Sequence, residues 1–206
     1  INLEKTEKLL EENRLRDINF FQSKLEIHDY IYFHSTTEKK SEGKEHLEKS
    51  MAFLDDYYLM NKLRLSLEML SREHLNDENF DIVFLNEALN EAAKRVNNYS
   101  IFSVYVNGIR LLKDDFFQED FISFGKQFYA HQEQISRKEL GNILIPLINL
   151  CTQKFYAGEE NFGNILLWLY KIGVKRNLFL RNGKITAPLY LNVVIFAILH
   201  LVFNFY

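Results

Sequence analysis

Cysteine, proline and glycine are scarce in this chain, and acidic residues stop at Glu160. Cys151 is the single cysteine, which excludes an intrachain disulfide and a thiolate metal cluster and fits a reducing, cytoplasmic setting. With only 2 Pro and 8 Gly, turns are few and regular elements are expected to be long. Several chemical signatures are missing as well. No G-x-G-x-x-G or G-x-x-x-x-G-K-[ST] loop is present to cradle phosphates, and neither G-x-S-x-G nor H-E-x-x-H occurs. A di-iron bundle needs Glu three residues before His, but those positions hold Leu25, Ile31, Gly43, Ser71, Phe128 and Ala197. The sequence therefore predicts no catalytic set, no metal and no cofactor: the chain is read as a non-enzyme.

The first residues, INLEKTEKLLEENR, are charged and amphipathic and do not read as a secretory leader. The absence of an initiator Met suggests a processed chain or a piece of a longer one. The net charge of −3 conceals an asymmetry. All 28 acids lie at or before Glu160, whereas Lys171, Lys175, Arg176, Arg181 and Lys184 follow it unopposed. The two ends of the chain should present different surfaces.

What is abundant is Leu, Lys, Glu and Asn, which favours helix over strand. The pattern predicts an all-α chain with about nine helices. These fall near Leu3–Arg14, Asp17–Thr36, Lys44–His74, Phe80–Val96, Ser100–Lys113, Phe116–Gln134, Arg137–Tyr156, Asn161–Leu178 and Ala187–Phe205. Ser136 with Glu139, and Asp115 with Gln118, have capping-box spacing. Gly158 stands where a left-handed C-terminal residue belongs, and Asn182-Gly183 is a turn dipeptide. Thr186 followed by Pro188 reads as an N-cap and first-turn proline. Pro146 is expected to kink its helix or split it after Leu144.

The long helix carries two apolar stripes. One is Leu47, Met51, Leu54, Tyr58 and Leu65; the other is Phe53, Tyr57, Met60, Leu63, Leu67 and Leu70. Two stripes predict neighbours on both sides, as in stacked antiparallel helical hairpins. Helix starts recur in pairs roughly 36 to 50 residues apart, near the period of helix-pair repeats. LGNILIPL at Leu140–Leu147 is echoed by FGNILLWL at Phe162–Leu169. One helical-repeat domain over 1–206 is expected, with a possible subdivision into 1–40 and 44–206 at the polar linker TTEKKSEGKE.

The segments LDDYYLMNKLRLSLEML and LWLYKIGVKRNLFLRNGKITAPLYLNVV resemble parts of long, uncharacterised bacterial proteins with tetratricopeptide-like helical repeats. The consensus W-x2-L-G-x2-Y itself is not present. The resemblance implies an α-solenoid scaffold that holds other proteins, from relatives that continue past the point where this chain ends.

Candidate partner-binding residues fall in two groups. Tyr57, Tyr58 and Asn61 could face a concave surface with their polar tips. Lys171, Lys175, Arg176 and Arg181, in the run KIGVKRNLFLRNGK, suit an acidic protein partner; the acidic remainder argues against nucleic acid. His28 and His34 lie about 120° apart on a helix and cannot share a metal. Glu42 and His46 read as a solvated pair, Cys151 as an inert core thiol, and His74 and His131 as partners of helix-terminal carbonyls or water. From Ile185 to Tyr206 no charge occurs, which is long enough to cross a bilayer. The polar stripe Asn192, His200 and Asn204 instead favours a helix that packs against a neighbour, or a homodimer formed through this end. The alternative function is a membrane-tethered helical protein anchored by that helix.

Overall fold

A computed structural model describes residues 3–34, 43–76, 78–113, 118–181 and 183–185, with positions 190, 191, 194, 195 and 198 beyond them. The chain is all-α. Eight α-helices occur among the described residues: α1 (Leu3–Glu12), α2 (Ile18–Phe33), α3 (Lys44–Asn76), α4 (Leu85–Arg95), α5 (Ser100–Lys113), α6 (Gln118–His131), α7 (Arg137–Tyr156) and α8 (Phe162–Lys175). A 3-10 turn, Gln132–Gln134, joins α6 to α7. After α8, β1 (Leu180–Arg181) pairs antiparallel with β2 (Lys184–Ile185) across a two-residue turn, with Gly183 at φ +74°. The expected ninth helix, its Thr186–Pro188 start, the anchor and the dimer end lie mostly outside the described residues, as do Asp115 and Asn182. No helix among the described residues is long and apolar enough to cross a membrane.

Helix α3 organises the rest. It runs 33 residues without Gly or Pro, about 50 Å at 1.5 Å per residue. Its first turns carry the i,i+4 ion pairs Lys44–Glu48 and Glu45–Lys49. Helices α2, α4, α5 and α7 all pack against it. The core is continuous: Phe20 and Phe21 of α2 share it with Met60, Leu63 and Leu67 of α3, Phe102 and Tyr105 of α5, and Leu144 and Leu147 of α7. The residues before 35–42 and those after it thus pack into one core.

Local signals explain most boundaries. The Asp17 carboxylate accepts from the backbone N–H groups of Asn19 and Phe20 and starts α2. Gly158, at φ +96°, closes α7 in a Schellman motif, with Glu159 N–H donating to the Lys154 carbonyl and Gly158 N–H to that of Phe155. His74 Nε2 meets the Leu112 carbonyl near the end of α5 at 2.6 Å, as a terminal histidine should. The sequence echo also has a structural meaning. Leu140, Ile143, Leu144 and Leu147 of α7, and their counterparts Phe162, Ile165, Leu166 and Leu169 of α8, are all buried.

Three expectations need correction. Pro146 does not split its helix: α7 is unbroken from Arg137 to Tyr156. Burial of Ile143, Leu144, Leu147, Ile148, Leu150 and Cys151 outweighs the roughly 3 kcal/mol cost of an internal proline. The helix expected from Phe80 starts at Leu85, because Phe84 adopts a left-handed conformation, φ 59°, that interrupts it. The capping box is half formed. Ser136 Oγ accepts from Glu139 N–H at 3.3 Å, but the Glu139 side chain turns into the core and accepts from the Tyr105 hydroxyl.

Candidate interaction face

The two stripes of α3 have opposite fates. Met60, Leu63, Leu67 and Leu70 are buried, with Phe53 and Tyr57 half-buried against the core. Leu47, Met51, Leu54, Tyr58 and Leu65 are between 41% and 60% exposed. The expected second neighbour is therefore absent from this face among the described residues. The bare stripe spans about 27 Å. Its members, with Asn61, follow alternating steps of four and three residues, the spacing of a coiled-coil seam. In proteins generally, contiguous exposed apolar strips are enriched at contacts with other proteins or membranes. The charges beside it are Glu48 and Asp55 towards the N-terminus and Lys62 towards the C-terminus.

Tyr58 and Asn61 belong to this seam. Asn61 is held in place: its Nδ2 donates to the Tyr57 carbonyl at 3.0 Å, and its Oδ1 accepts from Arg64 at 3.4 Å. Tyr57 lies to one side of the seam, against the core.

The basic group sits elsewhere, on α8, with α7 packed against both α8 and α3. Lys171 and Lys175 are exposed. Arg176 is engaged within the molecule, donating to the carbonyls of Gln132 and Ile135 at 3.0 and 3.3 Å and pairing with Glu133 at 3.3 Å. It clamps the end of α8 to the α6–α7 connection. Arg181 lies in β1.

A polar node that sequence spacing did not reveal joins α1, α2 and α3. His28, fully buried, places Nδ1 3.0 Å from Nδ1 of His46 on the next helix. Its ring stacks on Phe53 at 5.5 Å, and its Nε2 lies 3.3 Å from Glu7. Lys24 binds Glu7 and Glu11 at 2.5 and 2.8 Å, which ties α1 to α2. His34 instead stacks on Tyr30 of its own helix. Glu42, the expected partner of His46, is outside the described residues. Among the described residues no three His, Cys, Asp or Glu side chains group as a metal site.

This node should respond to acid. One imidazole must donate and the other accept, so a doubly protonated pair faces donor to donor. Burial pulls the His28 pKa below its ordinary value against the pull of Glu7, and Lys24, His46 and Lys49 lower it further. A histidine with a depressed folded-state pKa contributes stability above its unfolded pKa, about 6.5, and loses it as pH falls below that. The thermal midpoint is expected to drop between neutral and mildly acidic pH, and His28→Gln to flatten that dependence. An unchanged slope in His28→Gln would assign the acid response to other groups.

Cys151 behaves as expected: it is buried, and burial pushes its thiol pKa well up, which leaves it unreactive. An apolar concavity of about 560 Å³ lies between α6 and α8, lined by Phe121, Ile122, Tyr129, Ile165 and Trp168. Gly125 lets the Trp168 ring lie close against α6, since a Cβ there would stand 3.2 Å from it. Comparison of the chain with protein-family models, with curated proteins and with solved structures finds no match.

Proposed function

We propose that the protein is a non-enzymatic helical scaffold of stacked hairpins, tetratricopeptide-like in style, that binds a helical segment of a protein partner along α3. The observation that carries this reading is the bare seam of Leu47, Met51, Leu54, Tyr58 and Leu65 on a helix whose opposite face is fully packed. A partner helix laid in this seam buries anchors spaced at i, i+4 and i+7, the helix-in-groove mode. Tyr58 supplies a rigid aromatic anchor near the centre of the strip, where binding energy concentrates. Glu48, Asp55 and Lys62 set orientation and exclude wrongly charged partners. The exposed pair Lys171 and Lys175 offers a separate site for acidic side chains.

A photo-crosslinking residue at Tyr58 tests the reading, with Tyr129, an exposed aromatic on α6, as the control position. Capture at position 58 is expected to fall about tenfold in Leu54→Glu, which removes an anchor beside the probe. Helix content should stay unchanged, because Leu54 is exposed. Capture that is equal at both positions and indifferent to Leu54→Glu overturns the docking face.

A further inference from the structure

Resting on the reading of α3 as a docking face, we infer that its occupant is a second copy of this chain, laid antiparallel, α3 on α3. The seam is self-complementary when read in reverse. In order it is Lys44, Leu47, Met51, Leu54, Tyr58, Asn61, Leu65 and Glu68. An antiparallel pair with its two-fold axis at Asp56 sets Leu47 against Leu65 of the second copy and Leu54 against Tyr58 of the second copy. It also sets Met51 against Asn61, whose amide is already bonded to Tyr57 and Arg64 of its own chain. Each layer then combines one position from each half of the heptad, as antiparallel coiled coils require, and every apolar member of the seam from Leu47 to Leu65 is covered.

Charge selects the same arrangement. At each end of the strip Lys44 meets Glu68 of the second copy, and along one flank Glu48 meets Lys62. All four side chains are available: Lys44 and Glu48 are solvent-exposed and pair only loosely with each other at 3.3 Å, Glu68 is exposed, and Lys62 is half-buried. Asp55 faces its own copy near the axis, a like-charge approach that Arg95, 3.8 Å away on the same chain, offsets. A parallel pair fares worse. It sets Glu68 on Glu68 and Arg72 on Arg72 across the seam, and like charges opposed in a seam are destabilising. A single isologous interface of this type closes as a dimer, with no free face left to extend it.

Light scattering across a concentration series, combined with cysteine crosslinking, tests the assignment on the full chain. The wild type is expected to pass from monomer to dimer as concentration rises. Leu54→Glu should raise the dissociation constant by about tenfold or more. Lys44→Glu and Glu68→Lys should each weaken the dimer and together restore it. Orientation follows from Leu47→Cys and Leu65→Cys: mixed, the two variants should crosslink to each other, and each alone should not. Buried Cys151 does not interfere. Crosslinking of Leu47→Cys with itself, a dimer indifferent to Leu54→Glu, or a monomer at every concentration overturns the inference. Those results leave the docking face itself standing, since it fails only if capture at Tyr58 ignores Leu54→Glu.

Discussion

Tyr105→Phe is expected to destabilise the protein by about 3 kcal/mol, far more than the loss of one oxygen from a core ring suggests. Glu139 is 1% exposed, and its Oε1 meets no hydrogen-bond partner among the described residues. The carboxylate depends on the Tyr105 hydroxyl, which donates to Oε2 across the α5–α7 contact. Burial, with Glu139 beside it, holds the Tyr105 pKa well above the ordinary tyrosine value, so the hydroxyl stays a donor. Removing it leaves the buried Glu139 side chain without that hydrogen bond, and a buried polar group left unsatisfied costs its full desolvation penalty. Replacing both partners should therefore recover most of the loss: in the Tyr105→Phe background, Glu139→Met removes the unsatisfied polar group and fills the space. Urea unfolding of the single and double variants checks both numbers. A single variant that loses less than about 1 kcal/mol would show that Glu139 finds another partner.

That pair also shows where the sequence could be read and where it could not. Helix signals with local causes were legible: Ser136 as an N-cap, Gly158 as a left-handed stop, and the unbroken helical run from Lys44. These are decided within four or five residues of chain. Glu139 had the right spacing for a reciprocal cap, yet its side chain found a buried hydroxyl 34 residues away, which no local rule encodes. His28 and His46 are likewise brought together only by the packing of α2 on α3. The two stripes of α3 were visible as a pattern, and Tyr58 and Asn61 were marked within it. Apolar spacing says that a face is built to be covered; it does not say whether the cover lies within the chain or arrives from outside. Arg176 shows the same limit from the other side: the sequence marks it as a cation for a partner, and packing adds hydrogen bonds to the α6–α7 connection that no local spacing announces.

Phe21→Ala is expected to have a larger effect still, about 4 kcal/mol, with a fall in thermal midpoint of roughly 10 °C for a chain of this length. Phe21 is fully buried. Its ring meets Tyr99 edge-on at 4.9 Å, Phe102 at 5.6 Å and Phe20 at 5.3 Å, so its loss opens a cavity walled by other rings that cannot collapse into it. The position matters because it lies before residues 35–42, while Tyr99 and Phe102 lie after them. If α2 belongs to the same cooperative unit as α3 and α5, calorimetry should show one transition that shifts as a whole, and chemical unfolding should lose stability at unchanged slope. A second, earlier transition appearing in Phe21→Ala would mean that α1 and α2 unfold on their own. The docking face sharpens the expectation. Leu47, Met51 and Leu54 lie in the half of α3 that follows directly on residues 35–42, and a seam can present a straight line of anchors only if the helix beneath them is held along its length. Phe20 and Phe53, with ring centroids 6.5 Å apart, provide that support from α2. Phe21→Ala should therefore weaken recognition at the N-terminal end of the seam before it unfolds the protein, a loss readable as reduced capture at Tyr58 at temperatures where circular dichroism is still native.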